Sequence, residues 1–161
     1  NEPLLEAKKH GAKIILDGTS KYDEPKRIET LYKLVDGLFI NKTDYQRLKE
    51  HSLDDPKNII FNNGGLFICV TDGSKGSTLY TKDEEIYMPS ISNLKVVDST
   101  GAGDSFAGCF IASLMNNYTY KQALRYATLN GAYACTKLGS TCGIASYEQL
   151  EELAKTFNYE G

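Results

Sequence analysis

Hydrophobic and polar residues alternate along the chain in short blocks, and each block predicts either a buried strand or an amphipathic helix. The strongest strand is LFICVT at 66–71, which is apolar on both faces, as a central strand of a parallel sheet is. Two further runs, AKIILD at 12–17 and GLFIN at 37–41, also predict buried strands. After a turn at 72–76, STLYTK and EEIYMPS predict a hairpin.

Helical periodicity accounts for the segments between these strands. Helices are predicted over 3–10, 25–35, 43–51, 120–138 and 146–157, and one more follows the glycines of 101–103. The segment 53–64 is ambiguous and fits a short helix before a Gly-Gly turn. Leu138 is expected to close the buried stripe of the 120–138 helix. Strands that alternate with helices favour an α/β fold with a mostly parallel sheet.

Polar residues close four predicted strands. They are Asp17, Asn41, Thr71 and Asp98. Because ligands in parallel α/β sheets bind beyond the carboxyl ends of the strands, we expect these side chains to lie at one functional edge.

Composition narrows the class of protein. The chain has 161 residues, 41% of them hydrophobic and 24% charged, which fits one globular domain with a real core. A net charge of −3 and the lack of a Lys/Arg run argue against nucleic acid as a partner. No stretch resembles a signal peptide or a membrane span, so a cytoplasmic protein without a membrane partner is expected.

Isolated cysteines, histidines and tyrosines give no sign of a metal or nucleic-acid site. The cysteines, which never approach CxxC spacing, are Cys69, Cys109, Cys135 and Cys142. We predict buried, reduced thiols at these positions. His10 and His51 are expected at the solvated surface, and the eleven tyrosines are expected to pack half-buried rather than to stack on bases.

The most informative segment is VVDSTGAGDSFAGCFI at 96–111. Its glycines bring the backbone to a helix start, where unpaired amides and the helix dipole hold an anion, and Asp104 adds a carboxylate beside them. An anion site next to a carboxylate suits phosphoryl transfer to a hydroxyl. The alternative is an ordinary helix start, with Thr100 as a cap and Asp104 balancing the dipole.

This segment is neither a Walker A loop, which needs GK[ST], nor a dinucleotide fingerprint, because position 106 is Phe. It resembles the signature D-T-x-G-A-G-D-x-F-x-G of the ribokinase-like (PfkB-type) carbohydrate kinases. Asn41-Lys-Thr-Asp44 resembles the N-x-x-E element of that family, and Thr71-Asp-Gly-Ser-Lys-Gly76 resembles its T-x-G-x-x-G turn. TKLGST resembles its closing loop.

The resemblance implies a three-layer α/β/α fold, of which residues 1–161 form the C-terminal, nucleotide-binding portion, so the domain is present only in part. By this resemblance, Asp104 of the present chain would be the base that accepts the proton of a sugar hydroxyl. The amides of Gly101, Ala102 and Gly103 would form the anion hole for the transferred phosphoryl group.

The same resemblance implies sites for ATP and Mg²⁺. Asn41 and Asp44 would orient magnesium through water, although Asp replaces the usual Glu, and a helix-cap role for Asp44 is the alternative. Residues Thr71, Gly73 and Gly76 would border the nucleotide phosphates and ribose, unless this stretch is a plain β-turn. Lys75 would reach either a phosphate or solvent.

Two further roles follow from the family pattern. Asp98 and Thr100 would help to hold a monovalent cation, but Gly143 and Ala145 stand where members that use one often have Ser and Pro. Thr128 stands where a residue near the adenine is often found, and simple packing of its side chain is the alternative.

The expected activity is ATP-dependent phosphorylation of a small sugar or sugar-like substrate. A nucleoside kinase of the same fold is the nearest alternative, and a hydroxymethylpyrimidine or pyridoxal kinase is a further one. The acceptor pocket and the lid come largely from the N-terminal half in this family, so a non-catalytic nucleotide-binding fragment is another alternative. Dimers of the family pair through that lid, of which no strand is evident in this sequence.

Overall fold

A computed structural model describes residues 2–18, 25–51, 54–140 and 143–160. The chain forms two units, one comprising residues 1–72 and 78–86 and the other residues 73–77 and 87–161. Cys142, one of the four predicted buried thiols, lies outside the described residues.

The strands form one sheet with the order β1-β2-β3-β4-β5. They are β1 (Ile15–Asp17), β2 (Gly37–Asn41), β3 (Phe67–Thr71), β4 (Ser77–Tyr80) and β5 (Glu85–Met88). The first three run parallel, and β2 and β3 are buried along most of their length, as their apolar sequences predict. The short connection between β4 and β5, closed by a 2.9 Å hydrogen bond from the Thr81 amide to the Glu84 carbonyl, fits the predicted hairpin.

The first unit also contains four helices. They are α1 (Glu2–Lys9), α2 (Pro25–Tyr32), α3 (Lys42–His51) and α4 (Pro56–Asn62). α4 settles the ambiguous segment: Asp55 caps it by accepting from the Lys57 amide, and Pro56 stands at its first turn. The core of this unit joins these helices to the parallel strands through Tyr32, Leu38, Ile60 and Ile68.

The second unit is helical. A 3₁₀ turn covers Gly73–Lys75, and the helices are α5 (Ala102–Met115), α6 (Tyr120–Cys135) and α7 (Tyr147–Thr156). Capping boxes start α6 at Thr119 and α7 at Ser146. Its core includes Leu129 and Leu150, both fully buried.

The predicted end of α6 is wrong. The helix stops at Cys135 rather than at residue 138, and Leu138 is 77% exposed instead of closing a buried stripe. The reason is a tertiary contact that helical periodicity does not contain. The Cys135 carbonyl accepts hydrogen bonds from the amides of Val97 and Asp98, at 2.8 and 3.2 Å, and the chain turns away after it.

The same contact corrects the prediction that Asp98 closes a strand. Residues 95–98 form no strand, because the amides of Val97 and Asp98 donate to a helix end rather than to a neighbouring strand. The β-branched pair before Asp98 is also exposed, with Val96 at 60% and Val97 at 54%.

Two other bounds differ from the predicted ones by the same three residues. β2 spans the predicted residues, whereas α2 ends at Tyr32, three residues early, and β1 begins at Ile15, three residues late. Cys69 is buried as predicted, while Cys109 and Cys135 are partly buried. Burial raises the pKa of the Cys109 thiol to about 11, so this group stays protonated near neutral pH.

Candidate functional site: two sets of residues on two units

In the first unit, the candidate residues gather where β2 and β3 end. Asn41 and Thr71 are register partners in this parallel pair, so the two strands place them side by side. Each strand gives way there to polar residues, as expected at the carboxyl edge of a parallel sheet. The predicted convergence of these two residues is confirmed.

Asn41 and Asp44 contact each other directly. The Asp44 amide donates to Asn41 Oδ1 at 2.9 Å, and Asn41 Nδ2 donates to Asp44 Oδ2 at 2.6 Å. Because α3 begins at Lys42, this is a reciprocal cap of the helix start. The helix-cap alternative is therefore present in the structure, and it also fixes the rotamers of both side chains.

Asn41 and Asp44 can hold a magnesium ion through its water ligands, because the oxygens of Asp44 already have other partners. One oxygen of Asp44 accepts from Asn41, and the other lies 3.9 Å from the Arg47 guanidinium. No group of three or more His, Cys, Asp and Glu residues suited to a metal occurs among the described residues. Oxygen donors suit Mg²⁺, which keeps much of its water, so Asn41 and Asp44 fit an ion held through water.

An ion pair lies one residue beyond these strand ends. Lys42 Nζ is 2.7 Å from Asp72 Oδ2, which joins the residue after β2 to the residue after β3. The hydrogen bond and the negative charge of Asp72 raise the pKa of Lys42, so this lysine is cationic at neutral pH.

In the second unit, the part of the T-x-G-x-x-G-like turn from Gly73 to Gly76 depends on glycine. Gly73 and Gly76 have φ of 54° and 96°, in the left-handed region that other residues avoid. A Cβ on Gly76 would collide with the Met88 carbonyl oxygen. The Tyr87 hydroxyl donates to the Lys75 carbonyl at 2.8 Å, which ties the turn to a residue of β5.

The start of α5 is built on backbone geometry. Gly101 precedes the helix in the left-handed conformation, with φ of 78°, and no side chain of the described residues caps the helix. A Cβ on Gly101 would lie 2.5 Å from the Ser140 carbonyl oxygen, so only glycine fits. Thr100, the cap in the alternative of an ordinary helix start, does not serve as one, because Gly101 occupies the N-cap position.

The first amides of α5 differ in their partners. The Ala102 amide donates to the Ser99 carbonyl at 3.2 Å, so it is already engaged. Within the described residues, the amides of Gly103 and Asp104 have no hydrogen-bond partner, whereas that of Ser105 donates to the Gly101 carbonyl. A Cβ on Gly103 would meet no atom within 4 Å, and Asp104 is exposed. This helix start is therefore open to an anion.

Asp98 holds the segment before α5 in place. Its two carboxylate oxygens accept from the Thr100 amide at 2.9 Å and from the Gly139 amide at 3.0 Å. The hydrogen bonds from Thr100 and Gly139 hold the pKa of Asp98 below its usual value. Here Asp98 bonds the backbone on both sides, and its role as a cation ligand stays a prediction.

Asn130 positions α5 from α6. This buried side chain donates to the Ser105 carbonyl at 2.8 Å and accepts from the Ala145 amide at 3.2 Å. Gly131 allows a close approach, since a Cβ there would lie 3.3 Å from the Ala102 carbonyl oxygen. The first turn of α5 is thus fixed by a satisfied buried amide.

Thr128 is 7% exposed, and its hydroxyl donates to the Leu124 carbonyl at 2.9 Å. This geometry favours the packing alternative over a contact with a base.

Four residues of the candidate site were not predicted from the sequence: Lys42, Asp72, Tyr87 and Asn130. Lys42 and Asp72 stand inside the two quoted motifs, so their opposite charges were the available signal.

Comparison with known proteins decides the family. Residues 3–145 match the pfkB family of carbohydrate kinases. The chain belongs to this family. The predicted resemblance is thereby confirmed.

A deoxyribokinase of Salmonella typhi is 32% identical over 124 residues, which are 77% of this chain and 38% of that protein. The crystal structure of a nucleoside kinase of Methanocaldococcus jannaschii matches with a TM-score of 0.79 and 25% identity, over 95% of this chain and 52% of that one. An Arabidopsis thaliana ribokinase, complexed with ribose and ATP, matches with a TM-score of 0.78 and 26% identity, over 94% and 50%.

These matches confirm a ribokinase-like α/β fold that is present in part. The chain spans about half the length of these two solved structures and 38% of the deoxyribokinase. Among the described residues, no helix is long and apolar enough to cross a membrane.

Proposed function

We propose that residues 1–161 are the nucleotide-binding part of a kinase that transfers the γ-phosphoryl group of ATP to a sugar hydroxyl. The observation that carries this proposal is the uncapped start of α5, where open amides stand beside the exposed carboxylate of Asp104. Family membership supports the same chemistry.

In the proposed reaction, the hydroxyl oxygen of the sugar forms a bond to the γ-phosphorus. The bond from that phosphorus to the β–γ bridging oxygen breaks, ADP leaves, and Asp104 accepts the hydroxyl proton. The amides at 101–103 bind the charge that develops on the phosphoryl oxygens. Since the Ala102 amide already has a partner, those of Gly101 and Gly103 would contribute most.

Magnesium would neutralise phosphate charge during this transfer, and Asn41 and Asp44 would hold its water ligands. Thr71, Gly73, Lys75 and Gly76 would border the nucleotide. A monovalent cation beside Asp98 and Thr100 has the least support, because both oxygens of Asp98 already accept backbone amides.

A small sugar is the proposed acceptor, and a nucleoside is the second candidate. The similarity to the nucleoside kinase of Methanocaldococcus jannaschii favours testing both. A panel of pentoses, hexoses and nucleosides, with ADP release as the readout, would separate them.

The deciding variant is Asp104→Asn in the kinase domain that contains this chain. We expect kcat to fall by about 10² to 10⁴-fold, because the proton acceptor is lost, while nucleotide affinity stays within a few-fold. Glu152→Gln, at an exposed position of α7, is the control and should keep its turnover. Near-normal turnover of Asp104→Asn would refute the assignment.

The 161 residues alone are expected to bind nucleotide but to turn over little or no sugar. The reason is that relatives are about twice as long. Robust phosphorylation of a sugar by this chain would contradict the expectation. Intact-mass measurement of the natural protein would show whether a further half accompanies it.

A further inference from the structure

The ion pair between Lys42 and Asp72 lies beside two proposed ligand-binding residues. Asn41 and Thr71 are register partners, and Lys42 and Asp72 are the next residue after each strand. The 2.7 Å contact therefore bridges the edge at which magnesium and nucleotide are proposed to bind.

The negative charges at this edge would oppose the binding of a polyphosphate. Asp72 and Asp44 both carry negative charge near the strand ends, and each would repel an approaching phosphate. Lys42 compensates Asp72 in the structure. An exposed pair of this kind contributes little to folding, so it can exchange partners readily. The side chains of Lys42 and Asp72 are 48% and 30% exposed.

We propose that Lys42 binds the polyphosphate of the nucleotide and that Asp72 holds the lysine in position until the nucleotide arrives. This inference rests on the proposed function and adds a residue to its nucleotide site. Asp72 and the phosphate then compete for one ammonium group, and this competition has a signature that a structural ion pair lacks.

The test measures the Kd of adenosine, AMP, ADP and ATP for the full protein chain by calorimetry at low salt. Lys42→Met should weaken binding of ADP and ATP about tenfold, because a cation facing the phosphates is lost. It should leave adenosine unchanged. Asp72→Asn should tighten ADP and ATP binding about threefold, because the competitor of the phosphate is gone.

Lys49→Met is the matched control. Lys49 lies on the same helix, pairs with Asp55 at 3.0 Å and is 47% exposed, but it stands away from the strand end. Its removal should not change nucleotide affinity. Lys42→Arg keeps the charge and should retain most of the binding, which covers the case in which Lys42→Met does not fold.

The possible results distinguish failure of the inference about Lys42 from failure of the proposed function. Weaker binding in both Lys42→Met and Asp72→Asn, or equal loss for adenosine and ATP, would show a structural pair and overturn the inference alone. Unchanged binding in both variants would do the same. If the wild-type chain binds none of the four compounds, the proposed function fails together with the inference.

Discussion

The two units position their candidate residues by different means. In the first unit, exposed polar and charged side chains bond to one another, as in the pairs Asn41–Asp44 and Lys42–Asp72. In the second unit, the contacts are made to the backbone: the side chains of Asp98 and Asn130 bond to backbone groups, and Gly101 takes a left-handed conformation against Ser140.

This difference teaches which kind of change each region tolerates. Side-chain pairs near water respond to charge and to salt, which screens them. A backbone fixed by close contacts responds to added volume and is insensitive to salt. Substitutions can therefore break one region without disturbing the other.

The largest effect is expected from Gly101→Ala in the second unit. A left-handed non-glycine residue costs about 1–2 kcal/mol, and the new Cβ would also collide with backbone atoms of Ser140. We expect the free energy of unfolding to fall by about 2–4 kcal/mol, measured by urea denaturation.

Gly108→Ala is the control for this substitution. Gly108 is in the interior of α5, and an added Cβ would meet no atom within 4 Å. Alanine there should stabilise the helix by about 0.5–1 kcal/mol. Similar stabilities for the two variants would contradict the backbone account of Gly101.

The largest effect in the first unit is expected from Asp36→Asn. Burial disfavours the charge of Asp36, but hydrogen bonds from the Ile14 amide and Lys8 outweigh burial and hold its pKa below the usual value. Losing the charge should lower the free energy of unfolding by about 2 kcal/mol near neutral pH.

The pH dependence of Asp36 has a definite sign. Its pKa is lower in the folded state, so its stabilisation is present above the unfolded pKa near 3.8 and is lost as the pH falls through the folded pKa. The gap between wild type and Asp36→Asn should therefore shrink in acid. Asp83→Asn, at an exposed hairpin turn, should show neither effect, and a gap that persists in acid would contradict the account.

Local patterns predicted most elements and the family. GLFIN at 37–41 and LFICVT at 66–71 are apolar enough to predict buried parallel strands, and the glycines at 101–103 predicted the helix start. What escaped prediction depends on contacts between distant residues. The end of α6 follows from hydrogen bonds that Cys135 accepts from Val97 and Asp98, and no periodicity contains them.

The candidate site was predictable only in part for the same reason. The resemblance to the N-x-x-E element identified its first and last residues, Asn41 and Asp44. It did not predict the hydrogen bonds between them. Asp98 was expected at a strand end and instead bonds the Gly139 amide, 41 positions away along the chain. A hydrogen-bond partner so far away along the chain depends on the tertiary fold, so the local sequence pattern does not reveal it.

A smaller effect is expected from Gly103→Ala, which separates an anion hole from an ordinary helix start. The new methyl group has room and sits in a helix, so folding stability should not fall. It would stand where a phosphoryl group approaches, and we expect the Kd of ADP to rise about tenfold, or about 1.4 kcal/mol. Unchanged ADP binding, measured by calorimetry, would favour the ordinary helix start.

The smallest effect is expected from Tyr87→Phe, which loosens the turn at Gly73–Lys75 by removing the hydrogen bond to the Lys75 carbonyl. The Kd of ADP should rise about threefold, with a stability change within about 0.5 kcal/mol. Tyr159→Phe is the matched control, since its hydroxyl also donates to a carbonyl, that of Pro89 at 2.7 Å, and it should leave the affinity unchanged.

The hydrogen bond lost in Tyr87→Phe joins two neutral groups, so its threefold effect on the Kd of ADP should persist at high salt. The effect of Lys42→Met on the same Kd should shrink there, because salt screens charge. Equal salt dependence of the two variants would erase the distinction between a side-chain region and a backbone region.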